Sequence, residues 1–244
     1  MNKIEKHFPF HVTYIELFFG AGGFFFDKTK AKYNIVNDND SEVYNVFRVC
    51  QDSPKELYEF IYNMPMAEDL WFHWKANKET DPIKKAARFL FLSNFGFMGK
   101  PNTMRMNNKN AKRDLLNGIK TTNDLLWDVD FMNTDFRNVL KKIPFKDNDK
   151  PRTFIYADPP YTETTDTYEG NWTKQDTFDL FKMLSESGIK FAISEFDHPF
   201  VLDLAKEYNL HSIAIGERMN LKDRRMEMLY TNYLLHPEID LIHQ

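Results

Sequence analysis

The sequence predicts an α/β fold, a doubly wound sheet interrupted by a mostly helical insertion. Three observations predict it. Short apolar runs alternate with helix-like segments at both ends of the chain. A glycine turn, Gly20-Ala21-Gly22-Gly23, follows the first run directly. The middle of the chain drops the strand pattern and carries helix-start signals instead. At 244 residues, 42% hydrophobic and 28% charged, the chain has ordinary globular composition and enough length for a large core.

The elements follow in order. A strand-like run, Val12 to Phe19, leads into the glycine turn, and a second strand, Tyr33 to Val36, ends in Asn37-Asp38-Asn39-Asp40. This is the outline of a βαβ unit. Ser53-Pro54-Lys55-Glu56 reads as a capping box with Pro at the first helical position, and Asp81-Pro82 opens another helix. That helix runs into the breaker-rich segment Asn94 to Gly99. Residues 99–120 read as polar and irregular, with six basic residues (Lys100, Arg105, Lys109, Lys112, Arg113, Lys120) against Asp114, a local charge of +5. Alternation then resumes. Phe154 to Ala157 is a strand, Thr173 to Asp176 a second capping box, and Lys190 to Ser194 a strand. Pro199 to Tyr208 is a helix, and Ser212 to Ile215 and Met228 to Leu234 are strands. The predicted division is an α/β domain on residues 1–50 and 125–244, with the helical insertion on 51–124.

Composition excludes several classes. A single cysteine, Cys50, removes an internal disulfide and a cysteine-based zinc site, and the seven His show no ligand spacing, so no metal is expected. The longest uncharged stretches are too short to span a bilayer, so no membrane partner is expected. The N-terminal MNKIEKHFPF has no apolar signal region, which points to the cytoplasm. The net charge of −4 argues against a coat for nucleic acid while leaving room for a local basic patch.

Two motifs carry chemistry. Glycines after a first strand let the backbone approach a ligand closely, and Asp38, an acid at the end of the next strand, suits a ribose hydroxyl. The second motif is Asp158-Pro159-Pro160-Tyr161, directly after a strand. Two prolines remove two N–H donors and leave carbonyls and a carboxylate as acceptors, beside an aromatic ring. That set suits a planar group with an amine: the amine donates and the ring stacks. The phenylalanine-rich runs and the pair Trp71 and Trp74 read as packing. Ser194 and Glu195 end a strand at the edge where ligands bind, and are candidates to line a pocket.

Together, Glu16 to Gly23, Asp38 and Asp158 to Tyr161 resemble the Dam-type DNA adenine-N6 methyltransferases, in the same order along the chain. Phe89 to Gly99 is similar to that family's entry into its DNA-reading region, and Glu227 to Tyr233 to its closing strand. The resemblance spans residues 10–235. It implies a Rossmann-like methyltransferase sheet, a target-recognition insertion, S-adenosylmethionine as cofactor and double-stranded DNA as partner. Phe18, Gly20 and Gly22 would line the cofactor pocket, with Glu16 behind the turn. Asp38 would take the ribose, and Asp135, by a looser match, the adenine. Asp158 and the Pro159 carbonyl would hold the target amine, Pro160 would stiffen the loop, and Tyr161 would stack on a flipped base. Among Lys100, Arg105, Asn107, Asn108, Lys109, Lys112 and Arg113, the cations suit phosphates. Arg105 and Asn107 or Asn108 suit base edges. The family's Gly-x-Lys element ahead of the first motif has no counterpart here, and Lys3 is a candidate substitute. The alternatives are a methyltransferase acting on RNA or protein glutamine, and a DNA-binding relative impaired in turnover. The first residue of the catalytic motif, Asp158 rather than Asn, favours DNA adenine.

Overall fold

The computed structural model describes residues 4–97, 100–104, 110–146, 148–161, 172–219 and 224–235. They form two compact units, one from residues 4–37 and 134–235, the other from residues 38–133.

The first unit is built on a mixed sheet. Its strands are β1 (Thr13–Glu16), β2 (Tyr33–Asn37), β6 (Thr153–Ala157), β7 (Lys190–Phe196), β8 (His211–Met219) and β9 (Arg224–Thr231), in the order β2-β1-β6-β7-β9-β8. The pairs β1–β2, β1–β6 and β6–β7 are parallel, and β9 runs antiparallel to both β7 and β8. The final hairpin therefore makes the doubly wound sheet a mixed one. Helices α1 (Gly23–Asp27), α7 (Phe136–Lys142), α8 (Lys174–Glu186) and α9 (Pro199–Glu207) connect the strands. The central strands are buried on both faces: all five residues of β6 are buried, as are Tyr14, Ile15, Phe191, Ala192 and Ile193. Continuous apolar strands of this kind mark a sheet covered on both sides.

Caps set the helix starts. Thr173 and Asp176 form the complete capping box of α8, and Gly188, at φ +70°, turns the chain after that helix. Strand β7 runs two residues beyond the expected Ser194, so Ser194 and Glu195 lie inside it and are wholly buried. Ser194 Oγ is 2.9 Å from Tyr156 Oη.

The second unit is mainly helical: α2 (Ser41–Asp52), α3 (Pro54–Asn63), α4 (Glu68–Ala76), α5 (Pro82–Phe95) and α6 (Ala111–Leu126). It also holds strands β3 (Gly96–Phe97), β4 (Lys100–Met104) and β5 (Val129–Met132). Its core joins Val46, Leu57, Ile61, Trp71, Trp74, Ala86, Phe91, Leu115 and Ile119. Phe91 meets the rings of Trp71 and Trp74 edge-on, so both tryptophans pack as expected. Cys50 is buried here, and burial pushes its thiol up to about 12.

Two expectations need correction. The described part of residues 99–120 is not irregular: Lys100–Met104 is a strand, and Ala111 begins a sixteen-residue helix. Ala111, Leu115, Leu116 and Ile119 form a buried stripe at helical spacing, which the surrounding charges obscure in a composition reading. Ser53 makes no side-chain cap to α3. It already closes α2, donating its N–H to the Val49 carbonyl, and Pro54 alone sets the next helix.

Candidate active site

The site begins at the end of β1. Glu16 pairs in register with Val36 of β2 and Tyr156 of β6, and the Leu17 N–H extends the ladder to the Tyr156 carbonyl at 3.1 Å. β1 therefore stands where the sheet order reverses: its next strand in sequence lies on one side and β6 on the other. Open α/β sheets bind ligands at the carboxyl ends of strands at such a point. Past Glu16 the chain leaves the sheet. Phe19 donates its N–H to the Asn37 carbonyl, and the turn passes through Gly20 (φ +52°) and Gly22 (φ +73°) into α1. At Gly20 a Cβ would meet nothing within 4 Å, so this backbone faces open space. At Gly22 it would lie 2.5 Å from Phe26 and 2.7 Å from Phe19. The two glycines serve different ends, Gly20 leaving room and Gly22 admitting close ring packing.

Glu16 is 1% exposed. It accepts the Tyr14 hydroxyl at 2.7 Å, and the Lys28 ammonium sits 3.9 Å from the centre of the Tyr14 ring. Burial pushes the Glu16 carboxyl up to about 8. The Tyr14 bond and Lys28 oppose that rise, and the charge of Asp158 adds to it. Burial likewise brings Lys28 down to about 8. Glu16 is thus a sealed group beneath the turn. Phe18 is half-buried, with its ring centre 5.5 Å from Phe136 and 5.4 Å, edge-on, from Trp172.

Asp38 directly follows β2. Its Oδ1 accepts the Asp40 N–H at 2.9 Å, and its carbonyl accepts the Asn133 side-chain amide. Asp135 caps α7 by accepting the Arg137 N–H at 2.9 Å. Its carboxylate also pairs with the Arg137 guanidinium, which reaches Asp176 and Asp179 as well. Burial alone would lower the Arg137 pKa, but bonds from these carboxylates raise it, so the cation persists. Asp135 is accordingly a cap inside an ionic cluster, and its carboxylate is half-exposed.

The second motif leaves the neighbouring strand. Asp158 and Tyr161 are half-buried, Pro159 is buried, and the Tyr161 hydroxyl lies 2.9 Å from Asp158 Oδ1. The same hydroxyl is 3.1 Å from Glu227 Oε1 of β9, and the Tyr161 ring packs 4.3 Å from that of Phe196. Register brings Glu16 and Asp158 to the same edge of the sheet. The turn after β1 and the Asp158-Pro159-Pro160-Tyr161 segment therefore meet at adjacent strand ends.

Of the basic segment, Arg113 is exposed on α6, while the Lys112 ammonium donates to the Met64 carbonyl at 2.8 Å. Lys100 belongs to β4. Arg105, Asn107, Asn108, Lys109 and Lys3 lie outside the described residues. Among the described residues there is no group of three or more His, Cys, Asp or Glu that could hold a metal, and no helix is long and apolar enough to cross a membrane.

Sequence reasoning missed Asn37, Trp172 and Glu227. The Asn37 amide donates to the carbonyls of Leu17 and Thr134, tying the β1 turn to the approach to α7. An Asn at a strand end beside Asp38 carries no distinctive signal. Glu227 could have been found, since an acid inside an apolar closing strand is out of pattern.

The first unit thus brings an open glycine turn and a carboxylate beside two prolines and an aromatic ring to adjacent strand ends. The sequence matches the family model described as D12 class N6 adenine-specific DNA methyltransferase over residues 1–219. It is 25% identical to the Type II methyltransferase M1.LlaDCHI of Lactococcus lactis subsp. cremoris, covering 90% of this chain and 86% of that protein. It is 28% identical to the DNA adenine methylase of Haemophilus influenzae, covering 83% and 77%. The modification methylase StsI of Streptococcus sanguinis is 25% identical over 96% of this chain, which spans only 41% of that relative. Among solved structures, the rRNA methyltransferase AviRa of Streptomyces viridochromogenes aligns at a TM-score of 0.40 and 12% identity, covering 93% and 80%. The match over residues 1–219 establishes that the chain belongs to the D12 class of N6 adenine-specific DNA methyltransferases.

Proposed function

We propose that the two adjacent strand ends divide the reaction, the turn after β1 holding S-adenosylmethionine and the Asp158 loop holding the target adenine. The reaction is transfer of a methyl group from S-adenosylmethionine to N6 of adenine in DNA. One observation carries this assignment of roles. The β1–β6 register sets the glycine turn and the Asp158 motif side by side at the point where the sheet order reverses.

When bound, the cofactor supplies an electrophilic methyl group on a sulfonium. The residues of the chain do the rest. The backbone at Gly20 and Gly22 and the Phe18 ring line the cofactor's side, with Asp38 on the ribose and Asp135 toward the adenine. The adenine amine is a weak nucleophile because its lone pair is delocalised into the ring. The Asp158 carboxylate and the Pro159 carbonyl accept its two hydrogens and favour the pyramidal, attacking geometry. Pro160 holds the loop, and no covalent enzyme intermediate is needed.

The target base flips out of double-stranded DNA at a cost of a few kcal/mol, and stacking on Tyr161 returns about 1–3 kcal/mol. Lys100, Lys109, Lys112 and Arg113 position the phosphates, and Arg105 with Asn107 or Asn108 reads base edges. Lys112 must give up its bond to Met64 to do so. The enzyme acts in the cytoplasm at a specific site, in a modification role of the kind its relatives' names carry.

The test is labelled transfer from S-adenosylmethionine to unmethylated DNA, followed by nucleoside analysis. The expected product is N6-methyl-2′-deoxyadenosine, and sequencing of the product gives the site. Label in RNA or in a protein glutamine, with none in DNA, would overturn the substrate. Saturable DNA binding without cofactor binding would leave a DNA-binding protein only.

A further inference from the structure

The geometry points to Glu227 as a positioning residue for methyl transfer: it accepts the hydrogen bond of the Tyr161 hydroxyl and so leaves Asp158 at full strength for the target amine. This rests on the reading of Asp158 as the acceptor of that amine. The Tyr161 oxygen lies between two carboxylates, 2.9 Å from Asp158 Oδ1 and 3.1 Å from Glu227 Oε1. A phenol has one proton, so its short bond serves one carboxylate at a time. While it points at Asp158, it draws charge from the carboxylate that takes the amine hydrogen. When it turns toward Glu227, Asp158 Oδ1 recovers that charge.

The placement of Glu227 is built into the sheet. β9 runs antiparallel to β7, and that pairing sets Glu227 opposite Phe196. The Phe196 ring is the one on which Tyr161 packs, at 4.3 Å. One strand pair therefore fixes both the ring of Tyr161 and the second acceptor for its hydroxyl. Glu227 is only 7% exposed, in a strand whose neighbours Leu229 and Tyr230 are fully buried. A carboxylate is costly to bury in such a strand, and an apolar residue would pack there at lower cost. Its bond to Tyr161 gives the acid a task at this position.

The experiment is single-turnover methyl transfer to DNA at saturating labelled S-adenosylmethionine, in the full chain. Glu227→Met removes the acceptor at similar size. A charge-assisted hydrogen bond of ordinary strength predicts a loss of roughly tenfold to a hundredfold in transfer rate. The KM for S-adenosylmethionine should stay within about twofold, because the loss falls on the chemical step. Adding Tyr161→Phe to Glu227→Met should recover most of the lost rate, since no hydroxyl then competes for Asp158. Glu227→Gln, whose amide oxygen still accepts, should keep most of the rate. A merely structural role for Glu227 gives no recovery on removing the hydroxyl. Wild-type transfer by Glu227→Met, or failure of Tyr161→Phe to recover it, would overturn the inference. Thermal melts separate lost rate from lost fold, and if the Met variant does not fold, Glu227→Ala is carried through the same pair. Asp158→Ala distinguishes the two levels. If it retains transfer, the reading beneath the inference fails. If it is inactive while Tyr161→Phe does not recover the rate, the inference alone fails.

Discussion

At the end of β1 the Glu16 carboxylate is sealed, 1% exposed, under Tyr14 and Lys28. At the end of the neighbouring strand β6, Asp158 is half-buried, and its hydroxyl partner is shared with Glu227. Two acids at adjacent strand ends thus have opposite surroundings. The difference follows from what comes next in the chain. After Glu16, Gly22 lets the rings of Phe19 and Phe26 pack against the backbone, whereas after Asp158 two prolines hold the backbone stiff and without donors. A sealed acid cannot touch a substrate, so on the proposed reading Glu16 supports the turn from beneath and Asp158 is the acid placed to meet the target amine.

The strongest way to break this comparison is Asp158→Ala. Transfer should fall by at least about a hundredfold to a thousandfold, the loss typical of a preorganised hydrogen-bonding group. Circular dichroism should show the fold retained, because Asp158 is not part of the core. Labelled transfer at near wild-type rate would remove the distinction between the two strand ends.

Gly22→Ala tests the ring packing at the turn. A methyl at φ +73° would lie 2.5 Å from Phe26 and 2.7 Å from Phe19. Both strain and overpacking oppose it, for an expected loss of about 2–4 kcal/mol in urea unfolding. Glu16→Gln tests the charge with the shape kept. The Glu16 carboxyl, ordinarily at 4.5, is held at about 8 by burial, so the folded state binds its proton more tightly than the unfolded chain. That contribution to stability is full below about pH 4.5 and is lost as pH rises through about 8. Lys28, brought down from 10.5 to about 8, acts in the other window, its contribution being lost as pH falls from about 10.5 toward 8. Wild-type stability should therefore decline between pH 5 and 8, by up to about 4 kcal/mol, and Glu16→Gln should flatten the decline. An unchanged slope would mean that Glu16 is not sealed. The smallest effect is expected at Gly23, the first residue of α1, where a Cβ meets nothing within 4 Å. Gly23→Ala should stabilise by about 0.5 kcal/mol through helix propensity, and a large loss there would show that the turn is tighter than its geometry.

How much was legible in advance depends on how local each signal is. The strand–glycine-turn–strand unit, the Asp158 motif and the α8 capping box are contiguous, and each was readable because a few neighbouring residues set the backbone. Helix α6 was not, because its apolar stripe is spread over sixteen residues among charges that dominate any short window. The burial of Ser194 and Glu195 was misjudged for a related reason: strand length depends on the partner strand, and β7 is extended by pairing with β9 as far as Phe196.

By itself, then, the sequence determined the class of fold, the order of its chemical motifs and the family to which they belong. All three follow from residue types at short spacing. Only the tertiary structure decided which of two acids is sealed, that Asp135 is tied to Arg137, and that Glu227, 69 residues from Asp158 in the chain, shares the hydroxyl of Tyr161. Those relations arise from strand register and from packing between distant segments. No local pattern encodes them, because the partner that completes each one is brought in by the sheet.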